Sequence, residues 1–134
     1  MKTNTLIIGS SSGIGLEATK FFLKKSHNVI GISRRNNNIK SKKFRHINFD
    51  LNNFQDYDQL YSNIYNKFGP INNLLFSAGV QFIRPSSIIS ANDIKKIFNI
   101  NLKSPILFSK FISNKRFFKR PDSVIFISSV IASR

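Results

Sequence analysis

The residues best spaced for chemistry are Gly9-Ser10-Ser11-Ser12-Gly13-Ile14-Gly15. They follow the apolar run Leu6-Ile7-Ile8 and precede Leu16-Glu17-Ala18-Thr19-Lys20-Phe21-Phe22-Leu23. A buried strand, a tight glycine turn and an opening helix are what a nucleotide pyrophosphate needs. Gly9 can take turn geometry closed to other residues, Gly13 lets the backbone approach phosphates, and Gly15 lets the helix pack close to the strand. Ser11, Ser12 and Ile14 belong to the same candidate cradle. Free N–H groups at the helix start would offer the anion roughly half a positive charge. An ordinary Gly/Ser-rich tight turn is the competing reading.

The elements needed to position such a turn are visible downstream. Short apolar runs alternate with helical patterns, the signature of a parallel α/β sheet. Strands are expected at Thr5–Ile8, Asn28–Ile32, Phe44–Phe49, Asn73–Ser77 and Ser123–Ser128. One helix should run from Ile14 to Lys25, and another from Phe54 to Phe68 with Tyr57, Tyr61, Ile64 and Phe68 on one stripe. Gly69-Pro70 would end it. Ser90-Ala91-Asn92-Asp93 has the form of a capping box opening a helical region through Phe111. The connection from Arg34 to Lys43 is too lean for a full crossover helix and reads as a loop or a single turn.

The 134 residues fit one domain, 1–134, with a real core. No apolar run approaches the roughly 20 residues of a spanning helix, and the N-terminal stretch lacks the form of a secretory signal. A cytoplasmic protein without membrane contact is therefore expected. The chain has no cysteine, which excludes disulfides and thiolate metal sites; no metal site is expected. A net charge of +15 invites a nucleic-acid reading. The basic residues are nevertheless spread along the chain, with small clusters only at Arg34-Arg35, Lys40 to Arg45 and Lys115 to Arg120. The abundance of Asn, Lys, Ile and Phe matches what AT-rich codons favour, so base composition accounts for the charge. No nucleic-acid partner is expected.

With the glycine turn placed, the chain resembles the short-chain dehydrogenase/reductase family from end to end. Gly9, Gly13 and Gly15 match its G-x-x-x-G-x-G motif, with Ile8 where Thr usually stands. Asn73-Leu74-Leu75-Phe76-Ser77-Ala78-Gly79 aligns with its fourth strand and Asn-Asn-Ala-Gly signature; Ala78 and Gly79 are kept, while Phe76 and Ser77 replace the asparagines. That change puts hydrogen bonds bracing the central sheet in question. The resemblance implies a Rossmann-like doubly wound parallel sheet, truncated after the fifth strand. It implies that Asp50 accepts from an adenine amino group, that the Leu51 N–H reads the ring, and that Ser77, Ala78 and Gly79 lie against the cofactor ribose. A turn or capping carboxylate is the alternative for Asp50.

Two catalytic residues follow from the same resemblance. Asn101 in Asn99-Ile100-Asn101-Leu102-Lys103-Ser104-Pro105 falls on the catalytic asparagine. Pro105 lacks an N–H, so the Asn101 carbonyl four residues earlier is left to hold a relay water. A helix kink without chemistry is the alternative. Ser129 takes the catalytic serine's place, its hydroxyl bonding the substrate carbonyl; a turn serine at a strand end is the alternative. A carboxylate at the end of the second strand selects NAD. Here Gly31-Ile32-Ser33-Arg34-Arg35 has no acid and two guanidiniums, which favours NADP(H) over NAD(H), although a solvated basic turn has the same composition.

The family's Tyr-x-x-x-Lys pair does not occur in these 134 residues, since none of Tyr57, Tyr61 and Tyr65 has Lys four positions on. The expectation is an NADP(H)-dependent oxidoreductase acting on a small carbonyl or alcohol, shortened and weakly active or inactive. Longer relatives would form homo-oligomers, an assembly not expected of this chain. The competing function is a non-catalytic nucleotide-binding or basic interaction protein.

Overall fold

A computed structural model describes residues 2–114 and 122–128. Five parallel strands, β1 (Asn4–Ile8), β2 (Asn28–Ser33), β3 (Phe44–Asn48), β4 (Asn73–Phe76) and β5 (Ser123–Phe126), form one sheet in the order β3-β2-β1-β4-β5. The crossovers carry α1 (Gly13–Lys24), α2 (Tyr57–Phe68), α3 (Ala91–Phe98) and α4 (Ser104–Ser113). The strand order reverses between β1 and its neighbours β2 and β4, so the loops after β1 and β4 diverge there. This is the switch point at which such sheets bind ligands.

Side-chain alternation along the strands separates the two faces. Leu6, Ile8, Ile30, Ile32, Leu74 and Phe76 pack on one side with residues of α2 and α4. Ile7, Val29, Phe44 and Leu75 pack on the other with Ala18, Phe22 and Leu23 of α1. β1 has all five residues buried, as expected for a central parallel strand covered on both sides. The β2–β3 connection has no helix; Ile39 covers part of the α1 face in its place. It is held by Asn37, a buried residue whose Nδ2 donates to the Ser10 carbonyl at 2.9 Å.

The expected second helix begins as a single 3-10 turn, Phe54–Asp56, before α2. Its buried stripe is Tyr57, Leu60, Tyr61 and Ile64, with Phe68 only partly covered. Gly69 closes α2 at φ +77°, a conformation costly for any residue with a Cβ. At α3 the capping box is complete: Ser90 Oγ accepts from the Asp93 N–H at 3.1 Å, and the Asp93 carboxylate accepts from the Ser90 N–H at 3.1 Å. The expected long helix is interrupted, since Asn99–Lys103 form a π turn between α3 and α4. Pro105 sits in the first turn of α4, where its missing N–H is tolerated. At the sheet margins β3 presents Arg45 and Asn48 to solvent, whereas β5 leaves Ile125 and Phe126 exposed. No helix among the described residues is long and apolar enough to cross a membrane.

Candidate functional site

A cleft of about 590 Å³ opens at the C-terminal ends of β1, β2 and β4. Its floor is the glycine turn. Gly9 stands at φ +90°, and a Cβ there would come within 2.7 Å of the Ala78 nitrogen, so backbone meets backbone with no room for a side chain. Gly13, at φ +53°, opens α1; a Cβ there would meet nothing within 4 Å, so the space beside it is open to an anion. Gly15 does not line the cleft. It is buried behind it, where a Cβ would collide with the Gly9 carbonyl and the Ser77 hydroxyl, so its role is to seat α1 against the turn. Ser11, Ser12 and Ile14 line the cleft beside Gly13. Neither an acidic side chain nor a capping side-chain bond occupies the α1 N-terminus, leaving its N–H dipoles directed outward.

The second wall comes from the end of β2. Ser33, Arg34 and Arg35 line the cleft, both arginines being exposed. Asn48 of β3 and Ser33 at the end of β2 fix their backbone: Asn48 Nδ2 donates to the Arg34 carbonyl at 2.8 Å, and Ser33 Oγ donates to the Arg35 carbonyl at 2.7 Å. His46 Nε2 lies 2.9 Å from the same Ser33 hydroxyl, whose one proton is already given to Arg35. The imidazole therefore serves as the donor.

Asp50 and Leu51 form the third side. Asp50 Oδ1 accepts from the Asn52 N–H at 2.9 Å and from Asn52 Nδ2 at 3.0 Å. These bonds, the backbone one foremost, hold its carboxyl below the usual value against the opposing effect of burial, and Arg34 adds a weaker pull. Among the described residues Oδ2 accepts no hydrogen bond. The arrangement is thus a turn carboxylate with one oxygen to spare.

Ser77, Ala78 and Gly79 make the remaining wall. Ser77, standing where the resemblance has asparagine, braces the sheet itself: its N–H and its hydroxyl both donate to the Ile8 carbonyl at 2.9 Å. Phe76 fills the other asparagine position with apolar packing, 5.6 Å from the Phe108 ring centroid. Asn101 is exposed and does not line the cleft. Its Oδ1 accepts from the Val80 N–H and its Nδ2 donates to the Val80 carbonyl, each at 2.8 Å. Ser129 lies outside the described residues.

Sequence reasoning missed Val80, Phe82 and Lys96, which also reach the cleft. Arg84 stacks over Phe82 at 5.2 Å and pairs with Asp93 at 3.1 Å, tying this segment to the start of α3. Asp93 belongs to the capping box read from the sequence; nothing in the local sequence marks Lys96. The lining carries three cations, Arg34, Arg35 and Lys96, against one carboxylate, Asp50. Such a cleft attracts an anion.

The family model described as short chain dehydrogenase matches residues 3–134. Benzil reductase ((S)-benzoin forming) of Bacillus subtilis (strain 168) is 27% identical over 118 residues, covering 84% of this chain and 48% of that protein. The chain therefore spans about half the length of this relative. The structure of 4-hydroxyisoleucine dehydrogenase complexed with NADH superposes with a TM-score of 0.88 at 27% identity, covering 99% of this chain and 58% of the other. ElxO with NADP bound shares the fold, with a TM-score of 0.86 at 21% identity over 100% of this chain and 58% of its own.

Proposed function

The chain belongs to the short-chain dehydrogenase family, and on that premise we propose that it holds a nicotinamide dinucleotide, NADP(H) in preference to NAD(H), for oxidoreduction of a small carbonyl or alcohol substrate. One observation carries the reading: three sequence segments far apart in the chain, Gly9–Ile14, Ser33–Arg35 and Asp50–Leu51, meet with Ser77–Gly79 around a single cationic cleft. The glycine contacts fit the group. A turn whose Cβ positions are either filled by backbone or open to the cleft is a cradle for phosphates.

When bound, the dinucleotide supplies or accepts the hydride. The chain's own residues bind and orient it. The α1 N–H groups would hold the pyrophosphate, Asp50 Oδ2 would accept from the adenine amino group, and the Leu51 N–H would read the ring. Ala78 and Gly79 let backbone lie against the ribose beside Ser77. Members of this fold hold NADH and NADP alike, so the choice rests on Arg34 and Arg35, which meet a 2′-phosphate with two guanidiniums and no opposing acid. Asn101 holds the backbone at Val80, and its carbonyl serves the relay water. Ser129 contributes a hydroxyl bond to the substrate oxygen.

Titration calorimetry of NADPH and of NADH into the 134-residue chain tests this reading. Saturable binding, tighter for NADPH, is the expected result. Absence of binding by either dinucleotide overturns it.

A further inference from the structure

Two hydrogen-bonded threads run from the Asp50–Asn52 side of the cleft to the π turn, and both end at Asn99. In the first, the Asp50 carboxylate accepts from Asn52 Nδ2 at 3.0 Å, and Asn52 Oδ1 accepts from Asn99 Nδ2 at 3.0 Å. In the second, the Leu51 carbonyl lies 3.0 Å from the Tyr57 hydroxyl and 3.2 Å from Ser104 Oγ. The two hydroxyls are 3.0 Å apart, and Ser104 Oγ lies 2.8 Å from the Asn99 carbonyl, which also accepts the Ser104 N–H. Each hydroxyl has one proton. Ser104 gives its proton to Asn99 at the shorter distance, and Tyr57 shares its own between Leu51 and Ser104. Burial pushes the Tyr57 pKa up to about 12, so the phenol remains a donor at neutral pH.

Asn99 and Ser104 bracket the π turn, and between them Asn101 grips both polar groups of the Val80 backbone. A π turn carries one residue more than the helix around it, and such turns are frequent at functional sites. Pinning both of its ends fixes where Asn101 stands. Tyr57 and Ser104 are buried, and buried hydroxyls are costly to leave unpaired, so the threads pass on a displacement instead of absorbing it.

We propose that Asn99, Tyr57 and Ser104 are positioning residues, through which a ligand seated on Asp50 and Leu51 tightens the Asn101–Val80 clamp beside the cleft. The inference rests on the reading of the cleft as a dinucleotide site. None of the three lines the cleft, so their effect on Val80 is indirect.

The test uses adenosine 2′,5′-bisphosphate, which reaches only the adenine half, and follows hydrogen exchange at the Val80 amide. With the chain saturated, exchange at Val80 should slow by about 5-fold, the low end of coupling between sites. Tyr57→Phe keeps the ring and its packing on Phe49, Tyr61 and Phe108. Asn99→Ala cuts the other thread at a half-buried position. Both variants should still bind the probe, each should lose part of the slowing, and the double variant should lose most of it. A merely structural role would lower the unfolding temperature and leave the probe-dependent difference intact. Equal slowing in wild type and variants, or none in wild type with the probe bound, overturns the proposal alone. Failure of the wild type to bind the probe overturns the dinucleotide reading and this proposal with it.

Discussion

The two ends of the cleft are built by different means. At the Gly9–Gly13 end the backbone sets the shape, through two positive-φ glycines and the N-terminus of α1. At the Val80 end the shape depends on the side-chain amide of Asn101, standing in a π turn that is itself held from 47 residues away in sequence. The first end takes its shape from the backbone of a few consecutive residues, with Asn37 and Ala78 packed against it. The second exists only when distant elements have packed, so it is where small changes elsewhere should be felt.

The largest effect expected separates binding from reaction. The 134-residue polypeptide should bind NADPH yet show no sustained oxidation of it with a panel of ketones and aldehydes, followed by absorbance. Its three tyrosines lie on α2, and Tyr57 and Tyr61 are buried there. A positioned proton donor contributes about 10²–10⁴-fold, and fusing a segment that carries a Tyr-x-x-x-Lys pair should supply one. Steady protein-dependent turnover by the chain alone would mean that some other group in it donates the proton.

Next in size, Gly13→Val should abolish nucleotide binding while circular dichroism keeps most of its helix and strand signal. The side chain would enter the open space beside the turn and add strain of about 1–2 kcal/mol at φ +53°. Unchanged affinity would remove the cradle from this position. Replacing Arg34 and Arg35 together by Ala should cost about 1.5–3 kcal/mol of NADPH affinity, as for hydrogen bonds to charged groups, and leave NADH binding nearly as it was. Equal affinities for the two dinucleotides in the unaltered chain would count against the selectivity.

The smallest effect concerns Asp50. Its carboxyl is held below the ordinary 3.8, so its contribution to folding is complete above that value and is lost as pH falls through the lower folded-state pKa. Stability measured by denaturant titration should show no Asp50-dependent change from neutrality down to about pH 5. Below pH 4 the wild type should decline relative to Asp50→Asn. Because Asp50 is mostly solvated, the difference should be slight. A slope centred near neutrality would exclude Asp50 as its source.

These contrasts follow what can be read along a chain. The glycine turn was legible because positive φ and close backbone approach restrict the residue type at Gly9 and Gly13. The capping box at Ser90 and Asp93 was legible because both partners lie within one turn. Strand positions followed from apolar runs, with β4 and β5 ending at Phe76 and Phe126, short of the expected Ser77 and Ser128. The Ser77 hydroxyl bond to Ile8, the Asn37 bond to Ser10 and the placement of Lys96 were not legible, because each joins residues brought together only by the sheet. Pro105 signalled an irregular helix, but one that hydrogen-bonds through an extra residue looks the same in sequence as one that kinks.

The two margins of the sheet also carry a practical consequence. β3 ends the sheet with Arg45 and Asn48 exposed, and a second strand adding there would have to bury that polarity. β5 ends it with Ile125 and Phe126, followed by Ile127, between 38% and 47% exposed beside an outer backbone edge with no neighbouring strand among the described residues. Such an edge is a template for intermolecular strand addition. The polypeptide prepared alone should therefore enlarge with concentration in light scattering, and Ile125→Lys should suppress that growth without weakening nucleotide binding. Growth unaffected by the lysine would place the sticky surface elsewhere. If β5 is responsible, the shelf life of the sample will depend on a strand that takes no part in binding.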